Sequence, residues 1–301
     1  MLWNTFVTEA KNGTFLFYRD FMEYHEDRFQ DFSLMVFKEE ELLALFPANK
    51  VGNELFSHQG LTFGSLILSF DIFEHEVFAI IDAIKKYLKE NYFTSLTVKL
   101  IPEFYFKQAA KELETYFYES NALVEKEHLV FAIDYSKPIS IHKTKTKRFR
   151  NNKYDFVIEQ TSSFDIFWNQ VLIPRLKTRH KAKPVHSLNE INLLGSRFPE
   201  AIKQFNIYLD NEILAGVTIF ENETVVKSQY GATTEKGEKT RALDYLFLHL
   251  IFMYQKKGKQ YFSMGTATEN NTLGYNPGLK RQKEELGCNI YLQKVLKINL
   301  T

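Results

Sequence analysis

The sequence predicts an α+β protein made of two tandem αβ domains, each with a mostly antiparallel central sheet flanked by helices. Three observations predict it. Segments 73–91 and 239–257 carry apolar residues at steps of three and four, the spacing of one buried helix face. Shorter runs rich in β-branched and aromatic residues lie between turn signals on either side of them. The order of elements that follows residue 57 recurs after residue 228. A chain of 301 residues accommodates two domains of roughly 100–200 residues each. With 45% hydrophobic and 25% charged residues it can bury a core, which excludes a disordered or collagen-like chain.

In chain order, helices are expected at about 19–28, 73–91, 104–118, 162–177, 187–197, 239–257 and 277–286. Strands are expected at about 32–37, 42–47, 95–100, 122–134, 154–159, 203–208, 213–220, 224–232, 260–265 and 288–299. The helix at 73–91 rests on Val77, Ile80, Ile81, Ile84 and Leu88. The one at 239–257 rests on Leu243, Leu246, Phe247, Leu250, Ile251 and Tyr254, with Lys256, Lys257 and Gly258 as a basic last turn and a stop. Ser187, with Glu190 three residues on, reads as a capping box at the start of 187–197. The turn Asp210-Asn211-Glu212 makes 203–220 a hairpin.

The repeat runs from Ser57-His58-Gln59-Gly60 in one half and Ser228-Gln229-Tyr230-Gly231 in the other. Each is followed by a long helix, a strand, a second helix and a long strand. Domains 1–140 and 141–301 are therefore expected, joined near 136–152 by Lys-rich sequence containing Pro138.

The net charge of +1 hides an uneven distribution. Residues 142–183 hold 11 Lys or Arg against 3 acids, a local +8, so the rest carries −7. Such an island suits a polyanion, either a cofactor phosphate or an RNA backbone. The single Cys288 excludes an internal disulfide and a Cys-based zinc cluster. No secretory signal opens the chain, and the apolar stretch 243–254 is too short to span a bilayer. A cytoplasmic protein without membrane insertion is expected.

Residues 228–245 run from a strand into a loop with Lys236, Lys239 and Arg241, then into a helix start. Free N–H groups beside three cations there would seat a pyrophosphate. Gln229, Gly231, Lys236, Gly237, Lys239, Thr240 and Arg241 are the donor-binding candidates, with Asn276 from the later loop. This is no P-loop, because Glu238 stands where Lys should follow Gly237. In 261–287 a strand ends at Gly265 before Thr268 and Glu269, and Glu269 is a candidate base. His186, just outside the helix that Ser187 caps, is a second proton carrier with an expected depressed pKa. Tyr230 is a candidate acid. His58, Gln59, Glu190, Thr268 and Lys283 are candidates for substrate binding. Neither HExxH nor GxSxG occurs, so no metal is expected and serine hydrolysis is excluded.

The run QYGATTEKGEKTRALDYL and the run YFSMGTATENNTLGYNPGLKRQKEELG resemble the FemAB-like branch of the GNAT acyltransferase superfamily. The resemblance stands on Gln229-Tyr230, Ala242-Leu243-Asp244, Gly265, Thr268-Glu269, Asn276-Pro277-Gly278-Leu279 and 283–287, and touches RHKAKPVHSLNEINLLGSRFP (179–199). It departs at Met264-Gly265, at Ala267 and at Lys227-Ser228. The resemblance implies tandem GNAT-like domains and an acyltransferase moving an acyl group from acyl-CoA, acetyl-CoA first, to an amine. The acceptor would be a small molecule, an amino sugar or a cell-envelope precursor. It equally implies the Fem-type alternative with aminoacyl-tRNA as donor. A non-catalytic scaffold binding a glycan or a protein is the third reading.

Overall fold

A computed structural model describes residues 2–106, 112–119, 122–269 and 271–300. The chain forms two compact units, one of Met1–His128 with Leu292–Thr301 and one of Leu129–Tyr291. Among the described residues no helix is long and apolar enough to cross a membrane.

The first unit opens with helices α1 (Leu2–Glu9) and α2 (Arg19–Met22), then strands β1 (Gln30–Asp31), β2 (Leu34–Lys38), β3 (Glu41–Phe46), β4 (Asn49–Val51), β5 (Glu54–Phe56) and β6 (Ile67–Leu68). Helix α3 (Glu74–Glu90), strand β7 (Ser95–Lys99), helix α4 (Glu112–Glu119) and strand β8 (Leu123–Asp134) follow. Of the expected helix 104–118, residues 107–111 lie outside the described residues, and 103–105 form a 3₁₀ turn. β1, β4, β5 and β7 are neighbours in one sheet, while β2, β3 and β6 form a small second one. The apolar face of α3 is buried as its spacing requires, packed with Leu55, Leu96 and Val98. Each such side chain contributes about 1.5–3 kcal/mol by leaving water.

The second unit contains α5 (Lys143–Arg150), β9 (Val157–Thr161) and a helical run at 165–180. That run is α6 (Asp165–Phe167), a π turn, α7 (Ile173–Arg175) and a second π turn. Then come α8 (Leu188–Arg197), β10 (Ile202–Leu209), β11 (Glu212–Glu221), β12 (Val225–Thr233), α9 (Glu235–Thr240), α10 (Ala242–Lys256), β13 (Tyr261–Thr266), α11 (Pro277–Glu285) and β14 (Asn289–Asn299). Its sheet runs β8-β13-β12-β11-β10-β9, and within it only β12 and β13 are parallel. The far end of β8 supplies Phe131 and Ile133 to this core. Residues 295–299 of β14 pair instead with β7 of the first unit.

Three differences from the expected elements have physical causes. The expected linker at 136–152 contains α5, a helix whose KTKTKRFR sequence has one apolar residue and so no periodicity to read. Tertiary contacts hold it: Phe149 packs on Tyr245 at 4.7 Å, and Lys145 pairs with Asp244 at 2.6 Å. The helix expected at 239–257 is broken at Arg241, which adopts φ +60, leaving α9 and α10 on either side. The helix expected to stop at 177 runs on to 180. Pro174, which lacks an N–H, sits between its two π turns, where wider hydrogen bonding replaces the regular ladder.

Candidate donor site in the second unit

Among the described residues each unit contains a short parallel pair. In the first, β5 and β7 share rungs up to Phe56↔Thr97. Beyond it the chain stitches itself shut. Ser57 N–H donates to Thr97 O at 2.9 Å, the Ser57 hydroxyl accepts from Lys99 N–H at 2.8 Å, and Gly64 N–H donates to Lys99 O at 2.9 Å. A Cβ on Gly64 would stand 1.9 Å from Ser57 O, so only glycine permits this closure.

In the second unit β12 and β13 share rungs up to Lys227↔Ser263, and no rung joins them beyond it among the described residues. β12 continues on β11 with a bulge between Thr218↔Tyr230 and Ile219↔Ser228, which leaves Gln229 as the extra residue. Two parallel strands thus diverge into a fork, with a bulge at its edge. The Gln229 Oε1 in this region is buried and has no protein partner. A buried polar atom without a partner is rare in a folded chain and marks a place that water or ligand completes.

Tyr230 follows the bulge. Its hydroxyl accepts from His186 N–H at 3.1 Å and lies 2.6 Å from His186 Nδ1. Burial pushes the phenol up to about 12; its hydrogen bonds with the His186 and Val185 backbone and with the Gln229 side chain offset this only in part. A phenol that keeps its proton near pH 7 donates it to Nδ1, so the imidazole carries its own proton on Nε2. The Trp168 ring meets Tyr230 edge-on at 5.1 Å, and Trp168 Nε1 is buried with no partner. Two of the three catalytic candidates therefore touch. Trp168 joins them without having been expected, since a lone Trp in an apolar run reads as core.

Two cavities adjoin. One of about 270 Å³ is lined by Gly231, Ala232 and Thr233 of β12, by Gly237, Glu238 and Arg241, and by Leu279 and Gln282 of α11. The other, about 390 Å³, is lined by Lys145, Arg148, Lys153, Lys239 and Arg241 with the rings of Phe149, Tyr154, Phe156 and Tyr245. Arg241 and Asp244 belong to both. Five cations face one carboxylate, Asp244, which Lys145 already pairs. Glu238, the acid that intrudes in the donor loop, is held by Arg175 and Arg179.

The remaining candidates are placed as follows. Lys236 lines neither cavity; it is exposed and paired with Glu212 at 2.6 Å. Residues 235–240 of the expected loop are helical, which occupies two of its amides. Gly237 N–H donates to Thr234 Oγ1, and Glu238 N–H to Thr234 O. Gly237 is needed for packing, since a Cβ would stand 2.3 Å from Leu214 O. Thr240 returns its hydroxyl to Lys236 O at 3.1 Å. Asn276 caps α11 through Leu279 N–H and also donates to Glu269 at 3.2 Å. Glu269 is exposed and held further by Asn271 at 2.8 Å; no contact joins it to His186 or Tyr230 among the described residues. Thr268 forms an isolated bridge with Tyr275. Glu190 completes the capping box with Ser187. His58 and Gln59 lie in the first unit, His58 buried against His25 and Gln59 tied reciprocally to Asn49. Lys283 is buried under β13. Burial pushes the Cys288 thiol up to about 12, so it is no nucleophile. Among the described residues no cluster of His, Cys, Asp and Glu could hold a metal.

The fold is shared with three solved structures. The crystal structure of FemX superposes with a TM-score of 0.70 at 9% identity, over 99% of this chain and 95% of that one. L-PGS from Bacillus licheniformis gives 0.60 at 15% identity, over 100% and 91%. The C-terminal domain of a putative lysylphosphatidylglycerol synthetase from Agrobacterium fabrum gives 0.63 at 10%, over 99% and 90%. At such identities the likeness is one of fold. No family model and no curated protein sequence matches the chain.

Proposed function

We propose that the chain moves an acyl group from a nucleotide-bearing donor to an amine at the fork of the second unit. The observation that carries the reading is the open β12–β13 fork, flanked by the His186–Tyr230 pair and by a groove of cations and rings. The rings suit a nucleobase and the cations its phosphates. The first unit lacks this opening because Ser57 and Gly64 close it.

Acyl-CoA, with acetyl-CoA as its simplest form, is the donor we favour, and the reaction belongs in the cytoplasm where that donor is made. The amine attacks the thioester carbon directly. A C–N bond forms, the C–S bond breaks, the amine proton passes to water or to Glu269, and the thiolate takes a proton from Tyr230. Tyr230, protonated at neutral pH, is the proton source for the thiolate, and the phenolate it leaves accepts from His186 N–H until water reprotonates it. Glu269 stays as the acceptor-side base only if acceptor binding draws its loop in. The acceptor is a small-molecule or sugar amine, or a cell-envelope precursor, held with help from Thr268.

Aminoacyl-tRNA is the second reading, favoured by α5, whose Lys143, Lys145, Lys147, Arg148 and Arg150 continue the basic groove. Calorimetric titration with acetyl-CoA and with bulk tRNA, at about 0.05 and about 0.2 M salt, separates them. Acetyl-CoA binding that persists at the higher salt supports the first donor. Binding of tRNA alone, falling steeply with salt, replaces it with the second. Binding of neither leaves the scaffold reading and ends the transferase one.

A further inference from the structure

Lys283 on α11 is 4% exposed, yet it makes no ion pair among the described residues. Its ammonium donates to the carbonyl oxygens of Met264 at 2.7 Å and Thr266 at 2.6 Å, and sits 5.3 Å from the centre of the Phe131 ring. An ammonium is costly to bury, so a site that keeps one needs a reason. The two carbonyls supply it. They are on the part of β13 that follows its final rung with β12, at Ser263. At the corresponding place in the first unit, backbone fills the need, since Gly64 N–H caps Lys99 O and the strand opening is stitched.

We infer that Lys283 is the positioning residue that keeps β12 and β13 apart. Its N–H groups replace donors that β12 would otherwise bring to β13, so β12 is left to present Gln229 and Tyr230 to a ligand. An amine nitrogen suits the task in either protonation state, because even neutral it retains two N–H donors for two carbonyls. The value of the fork to a donor rests on the function proposed above; the part Lys283 plays in opening it does not.

The test is amide hydrogen exchange on ligand-free protein, comparing wild type with Lys283→Met and Lys283→Arg. In Lys283→Met, β12 closes on the freed carbonyls. Exchange at Ser228–Tyr230 slows by about tenfold while the α10 core is unchanged. Lys283→Arg, which retains donors, stays within about twofold of wild type. Unchanged or faster exchange at Ser228–Tyr230 in a folded Lys283→Met overturns the inference. Should that variant not fold, wild type decides. Exchange at Ser228–Tyr230 faster than at Val225–Lys227 supports an open fork, and equal exchange overturns it. Acetyl-CoA and tRNA titrations of wild type are read separately, so a protein that binds neither refutes the donor reading and leaves the exchange result to judge Lys283.

Discussion

At the scale of single residues, the two halves of the chain use buried histidine differently. In the first unit His58 is stacked on His25 at 5.2 Å, and burial, followed by the His25 charge and Arg19 and opposed by Asp31, pushes its pKa down to about 4. An unfolded chain takes up that proton near 6.5, before the folded one does. The stability this group contributes is therefore complete above pH 6.5 and lost as pH falls toward 4, by about 3 kcal/mol in all. Urea midpoints at pH 7 and pH 4.5 should fall much less in His58→Asn, a residue that tolerates the φ of +58 found there. An equal fall in both proteins would acquit His58. In the second unit Tyr230→Phe removes the hydroxyl that the His186 backbone N–H and Nδ1 use. Losing those two bonds should cost about 1–3 kcal/mol in denaturant titration. If Tyr230 supplies a proton, turnover of whichever donor binds should fall by about a hundredfold or more. A loss of stability with turnover intact would make it a packing residue. His186 and Tyr230 were each legible in sequence as residues at an element's end. Their contact was not, because 44 residues separate them and only the fold of the sheet closes that distance.

At the scale of elements, the long amphipathic helices and most strands followed from periodicity, because a buried face writes its spacing into the sequence. α5 and α9 did not, since both are too polar to show a face and are held by contacts made elsewhere in the unit. α9 depends on its cap and on close packing. Thr234→Ala removes the side-chain oxygen that accepts from Gly237 N–H and should cost about 1 kcal/mol. Gly237→Ala should cost more, because its methyl meets backbone at Leu214 rather than a side chain that can turn away. Thermal unfolding of the two variants ranks them, and Gly237→Ala proving the milder would contradict the packing described here. The fork itself had no signature in the sequence, because the absence of a strand pairing is a property of register, not of composition.

At the scale of the whole molecule, the basic island and the repeated order of elements were visible from the start, and the groove gathers Lys145, Arg148 and Lys153 of that island beside Lys239 and Arg241. Reversing charge at Lys239 and Arg241 together should weaken the productive donor by about tenfold or more, with a shallower salt dependence. Binding insensitive to both changes would move the phosphate seat elsewhere.

Residues 292–301 belong to the first unit, although the whole of the second is encoded before them. β7 has β14 as its partner through five consecutive residues, and Leu296, Ile298 and Leu300 fill the core beneath α3. A chain cut after 291 should keep exchange protection in 129–291 and lose it in the first unit. On the ribosome the same arrangement reverses the usual order of events: the half that is made first has to wait, incomplete, until translation has passed through the other half and released the strand that finishes it.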